Sequence, residues 1–114
     1  MIQPQRLASL KRNRDLVLHD SQRLVGQGRH LEAEEILKPC LEEWRKEGAP
    51  KQEEHKMIIL LGKALEGQKK NVEAYELYMK ALNGLTGEAY DDVYSRFCTS
   101  MSAWALLTKN HLTE

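Results

Sequence analysis

Apolar residues recur every three or four positions along almost the whole chain, with no sustained two-residue alternation, a pattern that predicts helices and no strands. A first helix is expected to open near Pro4, a residue tolerated in an opening turn. It presents Leu7, Leu10, Val17, Ser21, Leu24 and Val25 to one side and ends at Gly26-Gln27-Gly28. The second begins around Leu31, carries Ala33, Ile36, Leu37, Cys40, Leu41 and Trp44 on its apolar stripe, and stops before Gly48-Ala49-Pro50. Pro39 falls within it. Lacking an N–H and crowding the carbonyl four residues earlier, it predicts a kink or local opening near Glu35. A third helix from about Lys51 to Gly67 buries Met57, Ile58, Leu61, Ala64 and Leu65. A fourth, from about Val72 to Asn83, offers Ala74, Tyr75, Leu77, Tyr78, Ala81 and Leu82, with Gly84 as its left-handed stop. A fifth, spanning about 88–109, shows Tyr90, Val93, Tyr94, Phe97, Met101 and Trp104 on one stripe. Burying one such side chain contributes about 1.5–3 kcal/mol, so this helix is expected to dock on the preceding pair or on a partner.

A shift of 41 residues lays the second helical pair on the first: Leu24 falls on Leu65, Ala33 on Ala74, Leu37 on Tyr78, Cys40 on Ala81 and Leu41 on Leu82. Small residues recur where antiparallel helices approach closely, Ser21 and Gly62 on the first helices, Ala33 and Ala74 on the second. The second copy runs Leu61-Gly62-Lys63-Ala64-Leu65, then Asn71-Val72-Glu73-Ala74-Tyr75-Glu76-Leu77-Tyr78-Met79-Lys80-Ala81-Leu82. With its Leu-Gly pair, Glu-Ala, aromatic and Ala-Leu at matching spacing, it resembles the tetratricopeptide repeat family. The first copy, Gly28-Arg29-His30-Leu31-Glu32-Ala33-Glu34-Glu35-Ile36-Leu37, resembles the family's turn and second helix, with Ser21 in place of the glycine. The period exceeds the family's usual length of about 34, to be absorbed by longer helices or by the connection from Glu47 to Gln52. The resemblance implies an all-α fragment of a helical solenoid of about five helices in a single domain, with repeats at about 14–47 and 51–83. The fifth helix is then either a cap over the last repeat or the first helix of an incomplete third.

Composition narrows the class. The 114 residues hold 17 Lys and Arg against 17 Asp and Glu, with 41% apolar residues, as in one folded domain. The longest charge-free stretch, Phe97 to Thr108, is interrupted by Thr99, Ser100 and Ser102 and falls short of the roughly 20 apolar residues a membrane span needs. Arg6, Lys11, Arg12 and Arg14 break up the start of the chain, so no signal peptide is expected. Cys40 and Cys98, each among apolar neighbours, read as buried reduced thiols of a cytoplasmic protein. Charge is unevenly spread: residues 1–30 carry six basic and two acidic side chains, residues 31–54 four basic and eight acidic. This predicts pairing between the first helix and the second. Nucleic acid is not expected as a partner, because no aromatic accompanies the basic residues and the Glu cluster repels phosphate.

No catalytic, metal or cofactor site is expected. His19, His30, His55 and His111 have no partner at ligand spacing, and neither cysteine has a local His or Asp pattern. The pairs Glu34-Glu35, Glu42-Glu43, Glu53-Glu54 and Asp91-Asp92 point about 100° apart on a helix and read as solvated faces. Gly26 and Gly28 follow no strand and form a helix-to-helix turn.

The resemblance implies a concave groove lined by the first helix of each pair. Its places here are Asp15, Leu18, His19, Gln22 and Val25, then Lys56, Ile59, Leu60, Lys63 and Glu66. Ile59 and Leu60 either meet neighbouring helices or contact a peptide. The basic clamp by which some family members hold a chaperone's terminal carboxylate is not expected, since Leu18, Gln22 and Leu60 occupy its places. The expected function is non-catalytic: an adaptor or scaffold subunit binding a protein, peptide or partner helix with an acidic flank. Self-assembly into a homo-oligomer and a small dedicated chaperone are the alternatives.

Overall fold

A computed structural model describes the backbone of residues 2–112 and the side chains of residues 2–104. The elements run α1 (Pro4–Gly26), α2 (His30–Lys46), a 3-10 turn at Lys51–Glu53, α3 (His55–Gly67), α4 (Asn71–Leu82) and α5 (Gly87–Leu112). The fold is all-α, with no strand among the described residues and no helix there long and apolar enough to cross a membrane. The third helix starts later than its spacing predicts. Pro50 enters in an extended conformation, the chain tightens through the 3-10 turn, and Glu54, held by Arg45 Nε at 2.9 Å, precedes the first residue of α3.

The two hairpins turn in the same way. Gln27 and Gln68, equivalent under the 41-residue shift, have φ of −92° and −93°; Arg29 and Lys70 have φ, ψ of −90°, 63° and −88°, 60°. The hydrogen bonds correspond as well: Arg29 N donates to Leu24 O at 2.8 Å, and Lys70 N to Leu65 O at 2.9 Å, closing the helix end in a left-handed cap. The left-handed residue is Gly28 (φ 77°) in the first turn and Lys69 (φ 63°) in the second. A side chain there costs about 1–2 kcal/mol relative to glycine, a cost the second hairpin carries and the first avoids.

Within each hairpin the closest approach is set by one small residue beneath one larger one. Ser21 and Leu37 are fully buried in the first, Gly62 and Tyr78 in the second. A Cβ on Gly62 would overlap Tyr78 Oη, so the tyrosine ring occupies the space a side chain would need. The smaller Leu37 leaves room for Ser21, whose hydroxyl donates back to Val17 O at 2.7 Å. Leu24, Ala33, Leu41, Trp44, Met57, Leu61, Leu65, Ala74 and Val93 continue the core through the stack. Each helix packs on the next, and α1, α3 and α5 also touch in succession: α1 on α3, then α3 on α5. Thus α5 sits on α3 and α4 as α3 sits on α1 and α2.

Charge pairing follows the distribution along the chain. Arg6 on α1 bonds Glu43 of α2 and Glu47 just past its end, Lys11 and Arg14 reach Glu53 at 3.3 and 3.4 Å, and the Arg14 guanidinium lies 5.0 Å from the Trp44 ring centre. Pro39 does not interrupt α2; both it and Glu35 are exposed, so water can satisfy the carbonyl that Pro39 cannot serve. Gly84 is not left-handed. The chain leaves α4 through Asn83 in right-handed geometry, and the left-handed turn falls at Gly87 (φ 60°). Cys40 is buried as expected, but Cys98 is exposed: Val93 and Ser100 define the buried side of α5 and carry Cys98 away from it.

Replacing Gly62 by Ala is expected to lower stability by about 1–3 kcal/mol through overpacking, although Ala is the better helix former by about 0.5–1 kcal/mol. Adding Tyr78→Leu, which copies the Leu37 arrangement, should recover part of the loss. Urea titration of the two single variants and the double variant checks this, and additive losses would show that Gly62 and Tyr78 are not coupled.

Candidate functional site

Successive contact of α1, α3 and α5, without comparable contact between α2 and α4, makes the row of first helices the tighter side of the stack. The solvent face of its middle member, α3, is spaced at i, i+3, i+4 and i+7: Lys56, Ile59, Leu60 and Lys63. Ile59 lies on the flank shared with His55, whose Nε2 is 3.8 Å from Asp92 Oδ2 of α5. Leu60 lies on the flank shared with Met57, which touches Cys40 of α2. Both are half-buried and pack against the core edge, as do Leu18 and Val25 of α1, while Gln22 and His19 are exposed. Lys56 and Lys63 make no ion pair with any described residue, whereas Lys11, Lys38, Lys70, Arg14 and Arg96 each do.

Where α1 meets α3, a cleft of about 240 Å³ is lined by Arg14, Asp15, Leu18, Glu53, His55 and Lys56. It brings together three of the residues expected in the groove, Asp15, Leu18 and Lys56. Gln22, Val25, Ile59, Leu60 and Lys63 lie outside it. Arg14, Glu53 and His55 are absent from the expected set. Arg14 sits one turn before Leu18 on the same helix face, a spacing from which it could have been found, but Glu53 and His55 are placed by the 3-10 turn, which leaves no periodic signal.

Glu66 does not belong to an open groove. Its carboxylate accepts from Tyr78 Oη at 2.7 Å and from Arg96 Nη2 at 3.1 Å, tying α3 to α4 and α5. Burial, followed by this bond to Glu66, pushes the Tyr78 phenol well above its ordinary value. Two carboxylates expected on solvated faces are buried instead. Glu54 meets Arg45, and Glu34, only 6% exposed, accepts from Gln68 Nε2 at 2.7 Å, Lys70 Nζ at 3.2 Å and Lys38 Nζ at 2.6 Å. Burial alone would raise the Glu34 carboxyl, but the bonds from Lys38, Gln68 and Lys70 outweigh it and hold the pKa at about 2. Of these contacts only Lys38, at i+4 on the same helix, could be read from local spacing; Arg45, Gln68 and Lys70 come from another helix or the next repeat.

His30 packs its ring over Gly67, in the space a Cβ there would need, and the side chain of His111 lies outside the described residues. Among the described residues no group of three or more His, Cys, Asp or Glu is placed to hold a metal ion.

No family model matches the sequence, and no solved structure matches it. The chain is 36% identical over 76 residues to Protein high chlorophyll fluorescent 107 of Arabidopsis thaliana. The match covers 67% of this chain and 11% of that protein, so the chain spans about a ninth of its relative's length.

The depressed pKa of Glu34 fixes the sign of an acid dependence. Its contribution to stability is fully present above its ordinary value of 4.5 and is lost as pH falls toward about 2. Glu34→Gln should lower stability at neutral pH by about 1–3 kcal/mol and flatten the change in urea midpoint across that acid range. A variant whose midpoint falls as steeply with acid as the parent's would assign the dependence to other carboxylates.

Proposed function

We propose that this chain is a non-catalytic interaction module of tetratricopeptide-like helical repeats that holds a partner peptide or helix across the α1–α3–α5 face. The observation that carries the reading is the solvent face of α3. Two lysines without an ion-pair partner among the described residues stand two turns apart, one at each end of the half-buried pair Ile59 and Leu60, on a scaffold whose hairpins repeat at 41 residues. Supporting it are the small-over-large packing of Gly62 beneath Tyr78 and the succession of first helices along one side.

Such a face suits an amphipathic segment whose apolar side meets Leu18, Ile59 and Leu60 and whose carboxylates meet Lys56 and Lys63. Apolar contact supplies most of the affinity. The lysines, at the rim, chiefly set orientation and association rate. Adaptor or scaffold use in a larger assembly is the role such a surface serves.

Lys56→Glu combined with Lys63→Glu is expected to weaken partner capture roughly ten-fold or more, with helical circular dichroism unchanged. Lys46→Glu, at an exposed position at the end of α2, serves as a control on a different face and should leave capture intact. Equal capture by both variants would remove the assignment of α3 as the binding face.

A further inference from the structure

The second helix of each hairpin carries an equivalent stripe beside the next hairpin. On α2 it is Leu31, Glu34 and Lys38; the 41-residue shift lands on Val72, Tyr75 and Met79 of α4. In the first hairpin the polar members are met by the second. Glu34 accepts from Gln68 and Lys70, and Lys38 Nζ lies 3.9 Å from Glu73. In the second hairpin all three positions are apolar, and Val72, Tyr75 and Met79 are 57%, 38% and 40% exposed. Tyr75 leans on Phe97 of α5 with ring centres 5.6 Å apart. Phe97 lies 6.5 Å from Tyr94, itself 47% exposed and stacked on Tyr90. Four of the six exposed large apolar side chains among the described residues therefore share this one surface; Leu16 and Leu31 lie elsewhere. A contiguous apolar patch of this kind is often functional.

The chain's own docking supplies the rule for what covers such a stripe. Two of the three positions on α2 receive a side chain of matching character: Glu34 receives Lys70, and Lys38 receives Glu73, while Leu31 stays exposed. At the two equivalent places of the second hairpin, Tyr75 and Met79 call for apolar side chains. Among the described elements, the one that offers an exposed row of them is α4 itself. We propose that the α4–α5 face is a homodimer interface, in which α4 of each copy lies antiparallel on α4 of the other.

The charges beside the stripe agree with that orientation. Glu76 and Lys80 flank it one turn apart, both exposed, with Glu76 nearer the start of α4 and Lys80 nearer its end. An antiparallel two-fold arrangement sets Tyr75 against Met79 of the other copy and brings each Lys80 toward the other's Glu76. A parallel arrangement would put like charges together. Because the contact uses the same patch on both copies, it closes at two and does not propagate into a fibre. It also leaves the α1–α3–α5 face open, so it is independent of the partner-binding reading.

Light scattering behind a sizing column on the whole chain tests the proposal. The expected result is a mass twice that of the 13.2 kDa chain, falling toward the single-chain value on dilution. Tyr75→Glu with Met79→Glu, both at exposed positions, should give the single-chain mass with the helical circular dichroism retained. Lys80→Glu should shift the dimer toward monomer at a given concentration, and Glu76→Lys in the same chain should restore it. A parent chain that stays monomeric at its highest soluble concentration overturns the proposal, and so does a dimer that survives Tyr75→Glu with Met79→Glu. Failure of Lys56→Glu with Lys63→Glu to change capture would leave this result untouched.

Discussion

Tyr78 lies across Gly62, and much of the second half of the molecule is arranged around that contact. The ring fills the space a Cβ would occupy, which brings α4 close to α3, and its hydroxyl passes over the helix to Glu66 one turn further on. Arg96 then holds the same carboxylate from α5. One aromatic side chain thereby sets the spacing of a helix pair and supplies the polar end by which the next helix is located. A phenol suits the task because its body is apolar and its tip needs a hydrogen bond when buried. The first hairpin solves the same packing with Leu37 over Ser21 and has no polar extension there. Its following helix is located instead through the buried carboxylate of Glu34.

The two hairpins thus share a backbone and differ in the joint each makes with its C-terminal neighbour. Between the first and second the joint is charged, with Lys38, Gln68 and Lys70 around Glu34. Beyond the second, beside the Arg96–Glu66 pair, it is also aromatic, with Tyr75, Phe97, Tyr94 and Tyr90 in a continuous row. Pairing around a buried carboxylate adds little net stability once desolvation is counted, and removing one partner is costly. Aromatic surface adds affinity through the large area it buries. A change from one to the other along a repeat array is consistent with an internal joint that must hold register and an outer surface available to another molecule.

Helix number, order and the pairing of hairpins are legible in the spacing of apolar residues, because burial on one helical face leaves a period that no other element produces. The equivalence of Ser21 with Gly62 and of Leu37 with Tyr78 is legible for the same reason. The burial of Glu34, Glu54 and Glu66 is not: each looks like a solvated or groove-facing residue until a cation or hydroxyl from another helix is brought to it. Cys98 misleads because its neighbours on α5 are apolar, while the rotation of that helix is decided by Val93 and Ser100. For the binding face, spacing locates Lys56, Ile59, Leu60 and Lys63 on α3, whereas the cleft beside them depends on Arg14, Glu53 and His55 meeting through an irregular turn.

The order of packing also bears on how the chain acquires its structure. Every substantial contact joins elements that are neighbours or next neighbours in sequence, from α1 with α2 to α3 with α5. Closing such contacts costs little loop entropy, and helical bundles rich in local contacts fold in about microseconds to milliseconds. A nascent chain can close the first hairpin before the second is made, and each later helix then meets a surface already formed. The aromatic row on α4 and α5 is completed only after both hairpins, so self-association through it would begin once those hairpins are in place.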